Sequence, residues 1–165
     1  MYRSPSYETY SGSPLFSDSL SARLPVAGSI PRGYNAFFEY ENTLEGYAAA
    51  GSELKNPLEK SEANVLEGER LYNIYCTHCH GKTGMADGSV IKGGAYPPPP
   101  AYSDGKSSRG GDMKDLSEGK IYHTIVYGLN LMGAHASQIS PEERWKIIMH
   151  VQNLQNPISE KKETK

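Results

Sequence analysis

The sequence predicts an all-α domain with long Gly/Pro-rich loops, preceded by a largely irregular N-terminal arm. Three observations predict it. Apolar and aromatic residues recur at helical spacing in a few short windows, nearly all of them after residue 60. Between those windows lie stretches crowded with Gly and Pro, including Tyr96-Pro97-Pro98-Pro99-Pro100, which suit a loop and neither a helix nor a central strand. The first sixty residues are punctuated by Pro5, Pro14, Pro25 and Pro31 and carry almost no periodicity.

Residues 1–60 read as an extended Tyr/Pro/Gly-rich arm, with one short helix expected over 43–53. Two readings of it stand. One is a disordered leader. The preferred one is an arm that docks on a partner, because Tyr2, Tyr7, Tyr10, Tyr34, Tyr40 and Tyr47 exceed what a solubilising tether needs. Aromatic side chains bury much area at low entropic cost, and extended segments can wrap large surfaces.

Residues 61–156 form the expected domain. Ser61 and Glu62 lead into a helix over 64–75, with Val65, Leu71, Tyr72 and Tyr75 as its apolar or aromatic positions. Residues 81–109 are loop. A second helix is expected over 116–127, with Leu116, Ile121 and Ile125 in register and Gly128 as C-cap. Ser140-Pro141-Glu142-Glu143 is a strong helix start: Ser as N-cap, Pro in the first turn and Glu three residues after the cap. That helix carries Trp145, Ile148, Met149 and Gln152 on one side and stops before Asn156-Pro157. Residues 157–165 are a charged tail.

Composition narrows the function. Seventeen Lys and Arg against nineteen Asp and Glu leave a charge of −2, so no broad cationic surface for nucleic acid is implied. Two cysteines exclude a disulfide-rich scaffold and a four-cysteine zinc site. No apolar run reaches the length of a membrane span, about eighteen residues. The hydrophobic fraction is 37%, and regular structure is sparse relative to loop. Something besides side chains is expected to fill the middle of the domain.

Cys76-Thr77-His78-Cys79-His80 supplies that something: the C-x-x-C-H pattern of covalent haem c attachment. Two thiols one helical turn apart can both reach porphyrin vinyl groups, and the adjacent His80 can offer its imidazole to the iron. Three other readings compete. A redox-active thiol pair would need a thioredoxin-like strand before it, and no βαβ pattern surrounds the motif. A zinc site would need a distant fourth ligand, with His123, His135 and His150 available. Chance is the third. One covalently attached haem c is the expected cofactor.

The second axial ligand must approach from the other side of the ring. Met132 is preferred, because it lies in a non-periodic loop between two helices. Met113 competes with it, followed by His135 or an open position. Met85 is too near His80 in sequence, and Met149 reads as core. Expected iron ligands are therefore His80 and Met132, with Cys76 and Cys79 holding the ring. A carbonyl of residues 96–100 is expected to accept the His80 ring N–H. Arg109, Lys106 and Lys114 are candidates to neutralise propionates.

Residues 64–155 resemble class I cytochromes c. The match rests on Cys76 to His80, on Pro98 or Pro99, on Met132, and on Gly68 and Tyr72 where the family's first and last helices touch. The usual aromatic of the last helix is replaced by His150, leaving Trp145 to supply part of that packing. A narrower resemblance rests on Arg32-Gly33, on Glu39 to Tyr47, and on Lys55-Asn56-Pro57-Leu58. It continues through residues 96–100, Arg109 to Met113 and residues 132–142. These are similar to the mono-haem cytochrome c subunit of bacterial Alternative Complex III, a quinol-oxidising membrane complex.

That resemblance implies an electron-transfer subunit that takes single electrons from a neighbouring haem subunit. It would pass them to a downstream cytochrome or terminal oxidase. It also implies packing against multi-haem and iron–sulfur subunits, and a lipidated cysteine upstream of Met1. Bacterial thioether formation takes place outside the cytoplasmic membrane, so a periplasmic location is expected. A freely diffusing cytochrome c carrier and a small haem peroxidase are the rival functions.

Overall fold

A computed structural model of the chain describes residues 6–8, 11–29 and 38–157. The chain divides into two bodies, Met1–Phe37 and Phe38–Lys165.

Within the first body, residues 11–21 fold back on themselves. Gly12 and Leu20 form an antiparallel bridge, and the Ser13 and Ser19 amides donate to the Ser19 and Phe16 carbonyls at 3.0 and 2.9 Å. Ser19 takes the turn with φ 56°. Arg23 reaches Asp18 at 2.6 Å and lies over the Phe16 ring. Leu15, Leu20, Leu24 and Val26 are exposed. Tyr7 is exposed as well, while Tyr2, Tyr10, Tyr34 and Arg32-Gly33 lie outside the described residues.

The second body is helical. Its helices are α1 (Leu44–Glu53), α2 (Glu62–Tyr75), α3 (Thr77–His80), α4 (Ser89–Lys92), α5 (Glu118–Tyr127) and α6 (Pro141–Gln155). A 3₁₀ turn covers Met113–Asp115. The described residues contain isolated β-bridges and no strand, so the expected all-α class holds.

Helices α1, α2 and α6 each start where a side chain can accept from free amides. Thr43 accepts from the Gly46 amide, Ser61 from Asn64 and Ser140 from Glu143. Glu143 returns a contact to the Ser140 amide at 2.8 Å, completing a capping box. Helix α5 ends at Gly128, whose φ of 77° is left-handed, as the sequence suggests. The helix expected over 116–127 begins two residues later, with Ser117 turned to the Gly51 carbonyl at 2.8 Å. Helix α4 arises inside residues 81–109, which read as loop, and the 3₁₀ turn follows where no element is expected; each is under two turns long.

Helices α2 and α6 make the principal pair. They meet at Gly68, where a Cβ would overlap the Lys146 carbonyl. The core comprises Leu71 and Tyr72 of α2, Tyr122, Ile125 and Val126 of α5, Ile139, and Trp145, Ile147, Ile148 and Val151 of α6. Tyr102 and Met113 join it from the loops. His150 occupies the place of the missing aromatic: its ring lies 5.0 Å from that of Tyr72. Trp145 packs elsewhere, 4.5 Å from the Tyr122 ring.

Residues 38–60 correct the expected boundary at 60. Helix α1 packs on α5, so closely that a Cβ on Gly119 would overlap the Ala50 carbonyl. Tyr47 and Ala50 are buried, and Phe38, Leu54 and Leu58 pack on the core. Tyr127 donates to the Tyr40 carbonyl at 2.8 Å, and Asn56 to that of Trp145 at 3.3 Å. Tyr40 and Tyr47 therefore belong to the helical body. The charged tail beyond Pro157 lies outside the described residues.

Candidate functional site

Helix α2 runs almost directly into α3, so Cys76, Cys79 and His80 sit on one tight turn. The Cys79 and His80 amides donate to the Cys76 carbonyl at 3.2 and 2.9 Å, and the Gly81 amide to that of Thr77 at 2.9 Å. The turn is pinned from several directions. Tyr72 donates its hydroxyl to the Gly81 carbonyl at 2.9 Å, and Thr77 donates to the Asn73 carbonyl at 2.8 Å. The Ala86 amide closes onto the His80 carbonyl at 2.9 Å. Gly81 takes φ 75° to leave the helix, and a Cβ on Gly88 would overlap the Thr77 and His78 carbonyls. The C-x-x-C-H segment is thus a rigid, backbone-satisfied turn.

Its electrostatics favour neutral forms. Burial pushes the Cys76 thiol up to about 12, with the neighbouring Cys79 adding to the shift. A redox-active pair needs the opposite, a thiolate stabilised near neutral pH. No disulfide joins Cys76 and Cys79. Burial holds the His80 imidazole down to about 4, helped by His78 and His135. Among the described residues no three His, Cys, Asp or Glu side chains gather to hold a bare metal ion.

The ring of His80 stacks on Tyr102, centroids 4.9 Å apart and planes 11° from parallel. Tyr102 is fixed by its amide, which donates to the Gly84 carbonyl at 3.0 Å, and Gly84 takes φ 73° beside the ring. The expected bond from His80 to a carbonyl of 96–100 is not formed: Nδ1 of His80 is buried without a hydrogen-bond partner. The stacked tyrosine lies against the imidazole instead. Tyr102 is absent from the sequence-predicted site; its only signal is an aromatic just after the proline run.

Met132 closes a tight turn. The Leu129 and Met132 amides and carbonyls bond each other reciprocally at 2.9 Å, with Asn130 at φ 54°. Gly128 lies against the Met132 carbonyl, where a Cβ would not fit. Met132 itself is partly buried and packs on the core. His135 follows on the same loop, its amide donating to the Ile125 carbonyl at 2.9 Å and its Nδ1 buried without a partner. Met113 is a buried core residue, while Met85 is exposed. Met149 is core, as its helical spacing implies.

The propionate candidates differ. Lys106 pairs with Asp112 at 3.0 Å on the surface. Arg109 stacks 4.4 Å over the Tyr47 ring and keeps a buried nitrogen without a partner. Tyr47 also packs on His123, which is wholly buried, with Nε2 2.9 Å from the Glu41 carbonyl.

The donor chemistry suits a haem. Two cysteine side chains stand one turn apart, burial keeps the imidazole unprotonated, and a soft thioether sits on a turn closed by two backbone bonds. Helix α2 crossing helix α6 at Gly68, with the attachment turn between them, defines a class I cytochrome c domain. The family described as "Cytochrome C oxidase, cbb3-type, subunit III" matches residues 63–151, and the chain belongs to it. It is therefore a haem-binding electron-transfer domain.

Among solved structures, a chain of the Kuenenia stuttgartiensis reducing HAO-like protein complex is similar, at 25% identity and a TM-score of 0.43. The likeness covers 59% of this chain and 46% of that one, so this chain spans less than half of its length. No curated protein matches. Among the described residues no helix is long and apolar enough to cross a membrane.

Proposed function

We propose that the chain carries one covalently attached haem c and relays single electrons within a membrane quinol-oxidising complex. The observation that carries the haem assignment is the pinned Cys76–His80 turn with its neutral thiol and neutral imidazole. Haem, when bound, supplies the ferric/ferrous couple. Cys76 and Cys79 would hold the haem through thioether links, His80 and Met132 would supply ligands to its iron, and Tyr102 lies against the His80 imidazole. The thioether of Met132 is neutral and soft and favours the ferrous state. With His80 and Met132 both serving as ligands, the haem would favour electron transfer over peroxide chemistry.

The complex-bound role rests on the resemblance to the Alternative Complex III subunit. It gains support from the exposed Tyr7, Leu15, Leu24 and Val26 of the first body, which suit packing on another subunit. On this reading the chain sits at the periplasmic face, lipid-anchored through a segment upstream of Met1. It takes electrons from a multi-haem neighbour and delivers them to a cytochrome or oxidase.

Purifying the native assembly and identifying its subunits tests this. Co-purification with a multi-haem cytochrome and a quinol-oxidising activity supports the reading. A monodisperse, unpartnered cytochrome whose residues 1–37 are protease-sensitive supports a diffusing carrier instead.

A further inference from the structure

Arg144 is a strongly basic side chain enclosed by the core, at 2% exposure. Its place in α6 is the first turn after the Pro141 start, where a basic side chain gains nothing from the helix dipole and would ordinarily turn to solvent. Instead it points inward and forks three ways. Nε donates to the Ile139 carbonyl at 3.0 Å, one terminal nitrogen to the Ala136 carbonyl at 2.8 Å, and the other to the Tyr122 hydroxyl at 3.2 Å. The guanidinium also faces the Tyr122 ring, 5.5 Å from its centroid. No carboxylate pairs with it among the described residues. A buried charge held only by neutral acceptors is costly, so each of those bonds matters to keeping it there.

Two of the three acceptors belong to the segment that leaves Met132. The loop runs from the Leu129–Met132 turn through the His135 amide, which is tied to Ile125, to Ala136 and Ile139. Beyond Met132, that tie and the Arg144 fork are the hydrogen bonds that hold it from outside the loop, alongside the buried Ile139 side chain and Ala136 packed on the core. Tyr122 connects the same fork to α5, whose far end begins the loop. A planar guanidinium can hold two carbonyls and a hydroxyl at once; a lysine ammonium on a flexible stem cannot reproduce that geometry.

We infer that Arg144 is a positioning residue for the distal ligand: by clamping the Ala136 and Ile139 carbonyls it holds the Met132 loop against the iron. The inference rests on the reading of Met132 as ligand and goes beyond it. It assigns control of ligand strength to a residue that touches neither ligand nor haem.

The test uses the haem-loaded protein and added imidazole, which binds ferric iron only when the methionine has let go. Apparent imidazole affinity therefore reports the population of the detached loop. The far-red methionine–iron charge-transfer band of the ferric protein follows it. Arg144→Lys and Arg144→Leu are each expected to bind imidazole about tenfold or more tightly than the parent, with the covalent haem retained. Ile148→Ala is the control for general destabilisation and is expected to lower Tm while leaving imidazole affinity unchanged.

Arg144 variants that lose Tm but bind imidazole like the parent would overturn the inference. If they do not fold, Tyr122→Phe decides: about twofold or tighter imidazole binding supports the clamp, and affinity equal to the parent overturns it. Met132→Ala separates the two claims. If it keeps the far-red band, the ligand reading itself fails. If it loses the band while the Arg144 variants behave like the parent, the clamp alone fails.

Discussion

His80 and Tyr102 lie face to face, 4.9 Å between ring centroids and 11° between planes, although glycine- and proline-rich chain separates them in sequence. Nδ1 of His80 has no hydrogen-bond partner, so the stacked tyrosine face is the described contact that bears on the imidazole's orientation. Tyr102 is itself nearly enclosed, and burial raises its hydroxyl well above the usual tyrosine value.

Removing the ring should therefore cost both stability and ligand orientation. Tyr102→Phe keeps the stacked face and is expected to leave the haem spectrum unchanged. Tyr102→Ala deletes a core aromatic and is expected to destabilise by about 3 kcal/mol, in the range of large-to-small aromatic substitutions. Denaturant titration measures the first effect, and broadening of the low-spin haem spectrum the second.

Gly68 gives a second prediction. A Cβ there would meet backbone of α6, the Lys146 carbonyl, and backbone cannot yield as a flexible side chain does. Gly68→Ala is expected to separate α2 from α6 at a cost of about 1–3 kcal/mol, as overpacking does. A lower Tm with intact covalent haem is the expected pattern.

The boundary at Phe38 predicts opposite results for two truncations. Deleting residues 1–37 should leave the Tm of the helical body unchanged. Deleting residues 1–60 also removes α1 and Phe38, exposing the face of α5 that carries Tyr122 and His123. That chain is expected to melt at least several degrees lower or to be degraded before haem attachment. Calorimetry of the two products compares them directly.

Acid stability should depend on His123. Burial lowers its pKa, Arg109 pushes the same way, and the Glu41 carbonyl opposes them. Phe38, Tyr47 and Tyr127 complete its surroundings. The folded protein therefore keeps His123 neutral at pH values where the unfolded chain, near its ordinary value of about 6.5, binds a proton. The unfolded state carries more protons, so stability falls as pH drops below that value and levels off once the lowered folded pKa is passed. His123→Phe should flatten this slope, leaving a remainder from other histidines such as the half-buried His150, whose pKa desolvation also lowers. Urea unfolding across pH 7 to 4 reads it. An unchanged slope would assign the acid sensitivity elsewhere.

Much of this architecture is written locally. The capping box at Ser140, the serine cap of α2, the C-terminal Gly128 and the C-x-x-C-H spacing depend on neighbours a few residues away. Gly68 could be placed from the resemblance, and Lys146 proves to be its contact. What escaped depends on distant chain. Helix α1 reads as part of an arm because its buried face is two residues, Tyr47 and Ala50, and its partner glycine, Gly119, is some seventy residues on. Arg144 carries no signal in the sequence because the carbonyls that hold it converge only after the Met132 loop has folded. The carbonyl expected beside His80 gives way to a ring that proline-rich chain delivers from elsewhere.

The central claim is covalent haem at Cys76 and Cys79, and haem staining after denaturing electrophoresis tests it most directly. The protein would be produced with a bacterial cytochrome c maturation system and compared with Cys76→Ala/Cys79→Ala. The account predicts haem migrating with the parent chain and absent from the double variant. Haem released from the parent chain on denaturation, or retained by the double variant, would contradict it.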